Sequence, residues 1–177
     1  MRQVILCVAV SIFGIAFCWG QEAGKKTESA KPVAVLGWLV GGVWTADATK
    51  LGPGLQRIET RYQWSETNTF LRFNTHFISE KGIVRTYDGN LFWNPEQKSL
   101  FMWYMNGDNE IIEGPMQVEG DTWSMTFRSL GDDGKVADYR VEVAQKTNDH
   151  YHWALSQKQS DAWKELLSLE YLRVKGS

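Results

Sequence analysis

Thiols are almost absent from this chain. Its two cysteines, Cys7 and Cys18, both lie in the first eighteen residues, so nothing after Cys18 can form a disulfide, a thiolate nucleophile or a cysteine-ligated metal site. Histidine is nearly as scarce, with three in the chain. No G-x-S-x-G, H-E-x-x-H or phosphate-loop sequence occurs, and the Gly52-Pro53-Gly54 stretch is too little to cradle a phosphate. Charge of one sign is also missing: 19 Lys and Arg face 21 Asp and Glu, for a formal net charge of −2. With no basic run, nucleic acid and anionic membrane are not expected partners. Long apolar runs are lacking too, since Val4 to Phe17 falls short of the ~20 residues that a spanning helix needs.

That apolar run reads instead as the centre of a secretory signal over residues 1–20, with Arg2 as its positive start and cleavage expected after Gly20. A lipid-modified Cys18 is the competing reading, disfavoured by the bulk of Phe17 just before it. The expected destination is outside the cytoplasm, secreted or periplasmic. Residues 21–32, QEAGKKTESAK followed by Pro32, are polar and without period and read as a disordered tether. One domain over residues 33–177 follows.

The chain then becomes aromatic and strictly patterned. Val33 to Val40 is short and apolar enough to make about two helical turns across a barrel mouth, and Gly41-Gly42 permits a sharp turn into a strand beginning Val43-Trp44-Thr45-Ala46. From Leu55 the period is two, with Ile58, Thr60, Tyr62 and Trp64 alternating with Arg57, Glu59, Arg61 and Gln63. Further strands are predicted over Thr69 to Glu80, Ile83 to Asn94, Lys98 to Asn106, Asn109 to Val118, Thr122 to Ser129, Val136 to Thr147, His150 to Lys158 and Trp163 to Val174, with hairpin-length turns between them. Gly114-Pro115 implies a bulge or an edge, because proline has no ladder donor. Ten sequential antiparallel strands predict an all-β, up-and-down barrel with a short N-terminal lid helix, since closure removes exposed edges.

The Gly42-Val43-Trp44 segment, Tyr87-Asp88-Gly89, Glu113-Gly114, Tyr139-Arg140-Val141-Glu142 and Leu169-Glu170-Tyr171-Leu172-Arg173 together resemble the uncharacterised DUF1579 family. More distantly the layout is similar to nitrobindin-like haem-binding barrels and to the calycins, which include the lipocalins. The resemblance implies a ten-stranded barrel with an internal cavity, in which Trp44 and Arg173 make a structural indole–guanidinium contact at the barrel floor. It also implies, for the nitrobindin-like proteins, a haem-ligating histidine in the last strand. Here that strand, Trp163 to Tyr171, has none, so haem is not an expected cofactor.

Alternation places Trp123, Met125 and Phe127, Tyr139, Val141 and Val143, and Tyr151, Trp153 and Leu155 on the inner face with Ile58, Tyr62 and Trp64. A filled core and a lined cavity produce the same alternation. If the interior is hollow, Tyr62, Trp64, Trp123, Tyr139 and Trp153 are the expected ligand-binding residues, with Arg85 and Tyr87 sharing a face with Trp93 and able to hold a ligand carboxylate. His76 is the one candidate general base or iron ligand. His150 and His152 share a strand face that could hold a metal, although two ligands without a third make a weak site. Glu110 and Glu113, three apart on a strand, face opposite sides and make a poor acid–base pair. Lys98 to Asn106 is apolar on both faces, so its outer face needs a cover, either the N-terminal segment or a second subunit in a homodimer. The favoured function is non-enzymatic binding of an apolar small molecule. An enzyme using the same cavity, or an envelope-interaction or glycan-binding protein with a filled barrel, are the alternatives.

Overall fold

The computed structural model describes residues 32–107, 110–130 and 134–175. The expected signal and all but the last residue of the tether lie outside the described residues. A 3₁₀ helix spans Pro32–Leu39 and is followed by β1 (Val43–Asp47), β2 (Leu55–Trp64), β3 (Phe70–Ser79), β4 (Gly82–Asn94) and β5 (Ser99–Met105). The chain continues through β6 (Ile111–Glu119), β7 (Thr122–Leu130), β8 (Val136–Thr147), β9 (His150–Gln159) and β10 (Ala162–Val174). Each strand pairs antiparallel with its sequence neighbour, and β1 pairs with β10 to close the barrel. Ten strands enclose more space than side chains of an eight-stranded barrel fill.

The N-terminal helix is 3₁₀ because of its apolar spacing. Val33, Leu36 and Leu39 recur every three residues, which is the 3₁₀ period, and all three are buried. It closes the barrel end where β1 begins and β10 finishes, so it forms a floor. The open mouth is at the other end, among the β1–β2 and β3–β4 connections. The expected short helix across one barrel end is observed, and the end it seals is the one opposite the opening of the cavity.

Trp44 anchors that base. Its side chain is fully buried, and its Nε1–H donates to the Leu39 carbonyl at 2.7 Å. The Arg173 guanidinium carbon lies 4.3 Å from the Trp44 ring centroid. Arg173 Nη1 donates to the Val40 and Gly41 carbonyls at 2.6 and 2.7 Å, and Nη2 donates to Asn148 at 2.9 Å and to the Trp38 carbonyl. Arg173 Nε completes the set with an ion pair to Asp149 Oδ1 at 3.2 Å. One cation thus ties the helix end, the Gly41-Gly42 turn and the β8–β9 turn together. Gly42 is needed there: its φ is +75°, and a Cβ would stand 2.7 Å from the Val174 carbonyl oxygen.

At Gly114-Pro115 the register against β5 runs through without a shift, with Phe101 opposite Pro115 and Met102 opposite Gly114. The ladder to β7 reaches only Met116 opposite Met125. The expected bulge or edge is therefore a local end of pairing on one side, inside a closed sheet. Phe101, Trp103 and Met105 on the outer face of β5 are half-buried, and the floor helix sits at the barrel end.

The clamp carries a stability expectation. Arg173→Met keeps an unbranched stem but removes every donor from at least four carbonyls, so the urea midpoint should fall by an amount equivalent to about 2–4 kcal/mol. An unchanged midpoint would refute the role assigned to Arg173.

Candidate ligand-binding cavity

Above the floor the barrel holds a cavity of about 910 Å³, within the range of small-molecule sites. Each wall follows from strand alternation. On β2, Ile58, Thr60 and Tyr62 face in, and Arg57, Glu59 and Arg61 form ion pairs outside. On β3, Phe73, Thr75 and Phe77 face in, which resolves a strand whose two faces look mixed in sequence. Leu91, Met102, Trp123, Phe127 and Val141 make an apolar wall on β4, β5, β7 and β8, and Tyr151, Trp153, Leu155, Leu169 and Tyr171 close the circuit on β9 and β10. Leu51, Pro53 and Leu55 rim the mouth with Glu80, Lys81 and Arg85.

Gly89 keeps the wall regular between β3, β4 and β5. A Cβ there would lie 2.4 Å from the Trp103 carbonyl oxygen and 2.6 Å from Phe73. Without one, Phe73 and Tyr104 approach to 6.1 Å between centroids, and Tyr104 stacks on Tyr87 at 5.8 Å.

The structure divides the expected ligand residues. Tyr62, Arg85, Tyr87, Trp123 and Trp153 line the cavity. Arg85 lies at the mouth, with Nη1 3.5 Å from the Tyr87 hydroxyl. Trp64, Trp93 and Tyr139 do not line it. Trp64 sits by the floor helix, where a Cβ on Gly37 would be 3.5 Å from its ring. Trp93, 36% exposed, lies at the floor end of β4, and Tyr139 faces in but is covered by stacking on Phe127 at 5.7 Å. Alternation identifies the inner face, but it does not say where along the axis the space begins. Thr60, Thr75, Tyr104 and Tyr171 also line the cavity, and the period-two rule applied from Ile58 could have placed Thr60 there.

The three histidines are all on the outside. His76 alternates with inward Thr75 and Phe77 and stands in register with Glu59 and Thr86, so it cannot act on anything in the cavity. His150 Nε2 and His152 Nδ1 share the Glu170 carboxylate at 2.6 and 2.8 Å. Burial pushes that carboxyl up, but the hydrogen bonds and charges of the two imidazoles outweigh it and hold Glu170 below its ordinary value. Among the described residues no group of three or more His, Cys, Asp or Glu side chains is arranged to hold a metal. Glu110 is bound to Asn106 Nδ2 at 2.9 Å and to the Ser129 hydroxyl, while Glu113 is exposed.

No family model matches the chain, and no curated protein matches it. Among solved structures it is similar to the crystal structure of Rv2717c from M. tuberculosis, with a TM-score of 0.50 and 14% identity over 81% of this chain and 97% of that one. At that identity the likeness concerns the barrel fold.

Inside, the phenols hold their protons strongly. Burial pushes Tyr62 up to about 12 against a hydrogen bond with Tyr151, and raises Tyr104, Tyr151 and Tyr171 further. The unfolded chain ionises near pH 10 and the folded one does not, so this contribution to stability is complete below about pH 10 and is lost as pH climbs toward the folded values. Absorbance at 295 nm should show these four phenols silent at pH 10 and appearing together with unfolding. Half-ionisation of all six tyrosines near pH 10, with the fold intact, would contradict the buried placement.

Proposed function

We propose that this protein is a non-enzymatic binder of an apolar small molecule, carried in the barrel and entering at the end opposite the floor. The observation that carries this reading is the cavity of about 910 Å³, sealed by the Trp44–Arg173 base and lined mainly by aromatic and aliphatic side chains. Export by a signal at residues 1–20, to a secreted or periplasmic location, belongs to the same proposal, as does distant kinship with the DUF1579 and calycin barrels. Support for that kinship comes from the Gly42-Val43-Trp44 segment with Arg173 over its indole.

Burying ~200 Å² of apolar ligand surface at about 25 cal/mol per Å² contributes roughly 5 kcal/mol before association costs, which places a generic probe in the micromolar range. A naphthalene-sulfonate dye should therefore saturate with a change in tryptophan emission. Trp123→Ala should weaken it several-fold, and Arg128→Ala should not, since Arg128 is exposed and paired with Asp138 at 3.2 Å outside the barrel. Failure of any apolar probe to saturate below millimolar concentration, with the protein folded, would reject the reading.

None of the histidines faces the cavity, which supports a reading without haem. Ferric haem is expected to give no stoichiometric complex with a shifted Soret band, and a one-to-one complex would restore the haem-binding expectation.

A further inference from the structure

The cavity wall carries more hydrogen-bond donors than it has partners for. Thr60 Oγ1 and Thr75 Oγ1 are 2.9 Å apart, and they line the cavity together with the phenols of Tyr62, Tyr151 and Tyr171. A hydroxyl has one O–H to donate and two lone pairs to accept with. One bond joins the two threonines, so that pair keeps one O–H uncommitted, and each phenol brings an O–H of its own to the wall. Trp44 of β1 stands opposite Thr60 of β2 on one side and Arg173 of β10 on the other, and Tyr171 stacks on Tyr151 at 4.7 Å, which brings these hydroxyl-bearing strands to the same part of the barrel. Trp123, also in the wall and 4% exposed, has an Nε1–H with no partner.

Donors in that number want acceptor atoms. The charged residues that line the cavity, Glu80, Lys81 and Arg85, are all exposed at the mouth, so nothing cationic stands beside the hydroxyls. An anion placed there would lose its hydration without gaining a counter-charge. The burial that pushes the Tyr62 phenol up to about 12 would act equally on a ligand carboxylate. A neutral carbonyl oxygen has no such penalty and accepts two hydrogen bonds.

We propose that the cavity selects an uncharged apolar carbonyl compound, a ketone or quinone, and seats its oxygen against the hydroxyls of Tyr62 and Tyr171 with the hydrocarbon along Leu91, Met102 and Phe127. This rests on the cavity being a ligand site and names the ligand's chemistry. It replaces the expectation of a carboxylate held by Arg85 and Tyr87.

The test compares undecan-2-one with undecanoate, equal in chain length, at pH 8, read by intrinsic tryptophan emission of the full protein. The ketone should bind at least tenfold more tightly. Replacing both phenols, Tyr62→Phe with Tyr171→Phe, should weaken the ketone about tenfold in a variant whose circular dichroism is unchanged, while Arg128→Ala leaves it as it was. Undecanoate binding as tightly as the ketone, and losing affinity in Arg85→Gln, would overturn the proposal in favour of a head group at the mouth. Saturation by the naphthalene-sulfonate dye but by neither C11 probe would overturn it while sparing the cavity reading, and saturation by no probe would overturn both.

Discussion

The contact of the Arg173 guanidinium with the buried Trp44 indole is the constraint on which the cavity depends. A ten-stranded barrel left open at both ends would be a channel through which water reaches every inward ring. Arg173 comes from the last strand and Trp44 from the first, so their contact spans the seam where the sheet closes. The same guanidinium caps carbonyls of the floor helix and its following turn, which have no strand partners. Barrel closure and floor closure are therefore one event. Trp38 and Tyr151 pack edge-on, Tyr151 lies 4.7 Å from Trp44, and Tyr171 stacks on Tyr151 at 4.7 Å, so the base grades directly into the cavity wall.

The interior above that base mixes two characters. Hydroxyls line it on β2, β3, β4, β5, β9 and β10, and Leu91, Met102, Phe127 and Val141 add an apolar surface on β4, β5, β7 and β8. Charge in the lining is kept to the mouth, at Glu80, Lys81 and Arg85. Among the described residues that line the cavity no nucleophile has a neighbouring base, and His76 faces the opposite way.

Much of this was legible in the order of residues. The period of two in each strand and the turn residues between them are local signals, and backbone geometry translates them almost directly into a closed antiparallel sheet, whereas the Trp44–Arg173 pairing was legible only through the family resemblance. The inner set Trp123-Met125-Phe127, Val141-Val143 and Tyr151-Leu155 also follows, because successive side chains of a strand have only two faces to choose between.

Depth was not legible. Tyr62 and Trp64 share a face, as do Arg85, Tyr87 and Trp93, yet within each group one member meets open space and another meets the floor helix, a neighbouring ring or solvent. Whether an inward side chain lines a cavity is set by what stands opposite it across the barrel, on strands far away in the chain. The same holds for the hydroxyls: Thr60, Thr75 and Tyr171 are unremarked in their own strands, and only the register of β2 with β3 and the closure by β10 brings them together. The sequence by itself determined the strands and their two faces, since these depend on neighbours along the strand. Tertiary structure alone decided which end is sealed, how much of the interior stays empty and where its polar groups converge, because those depend on distances across a closed barrel.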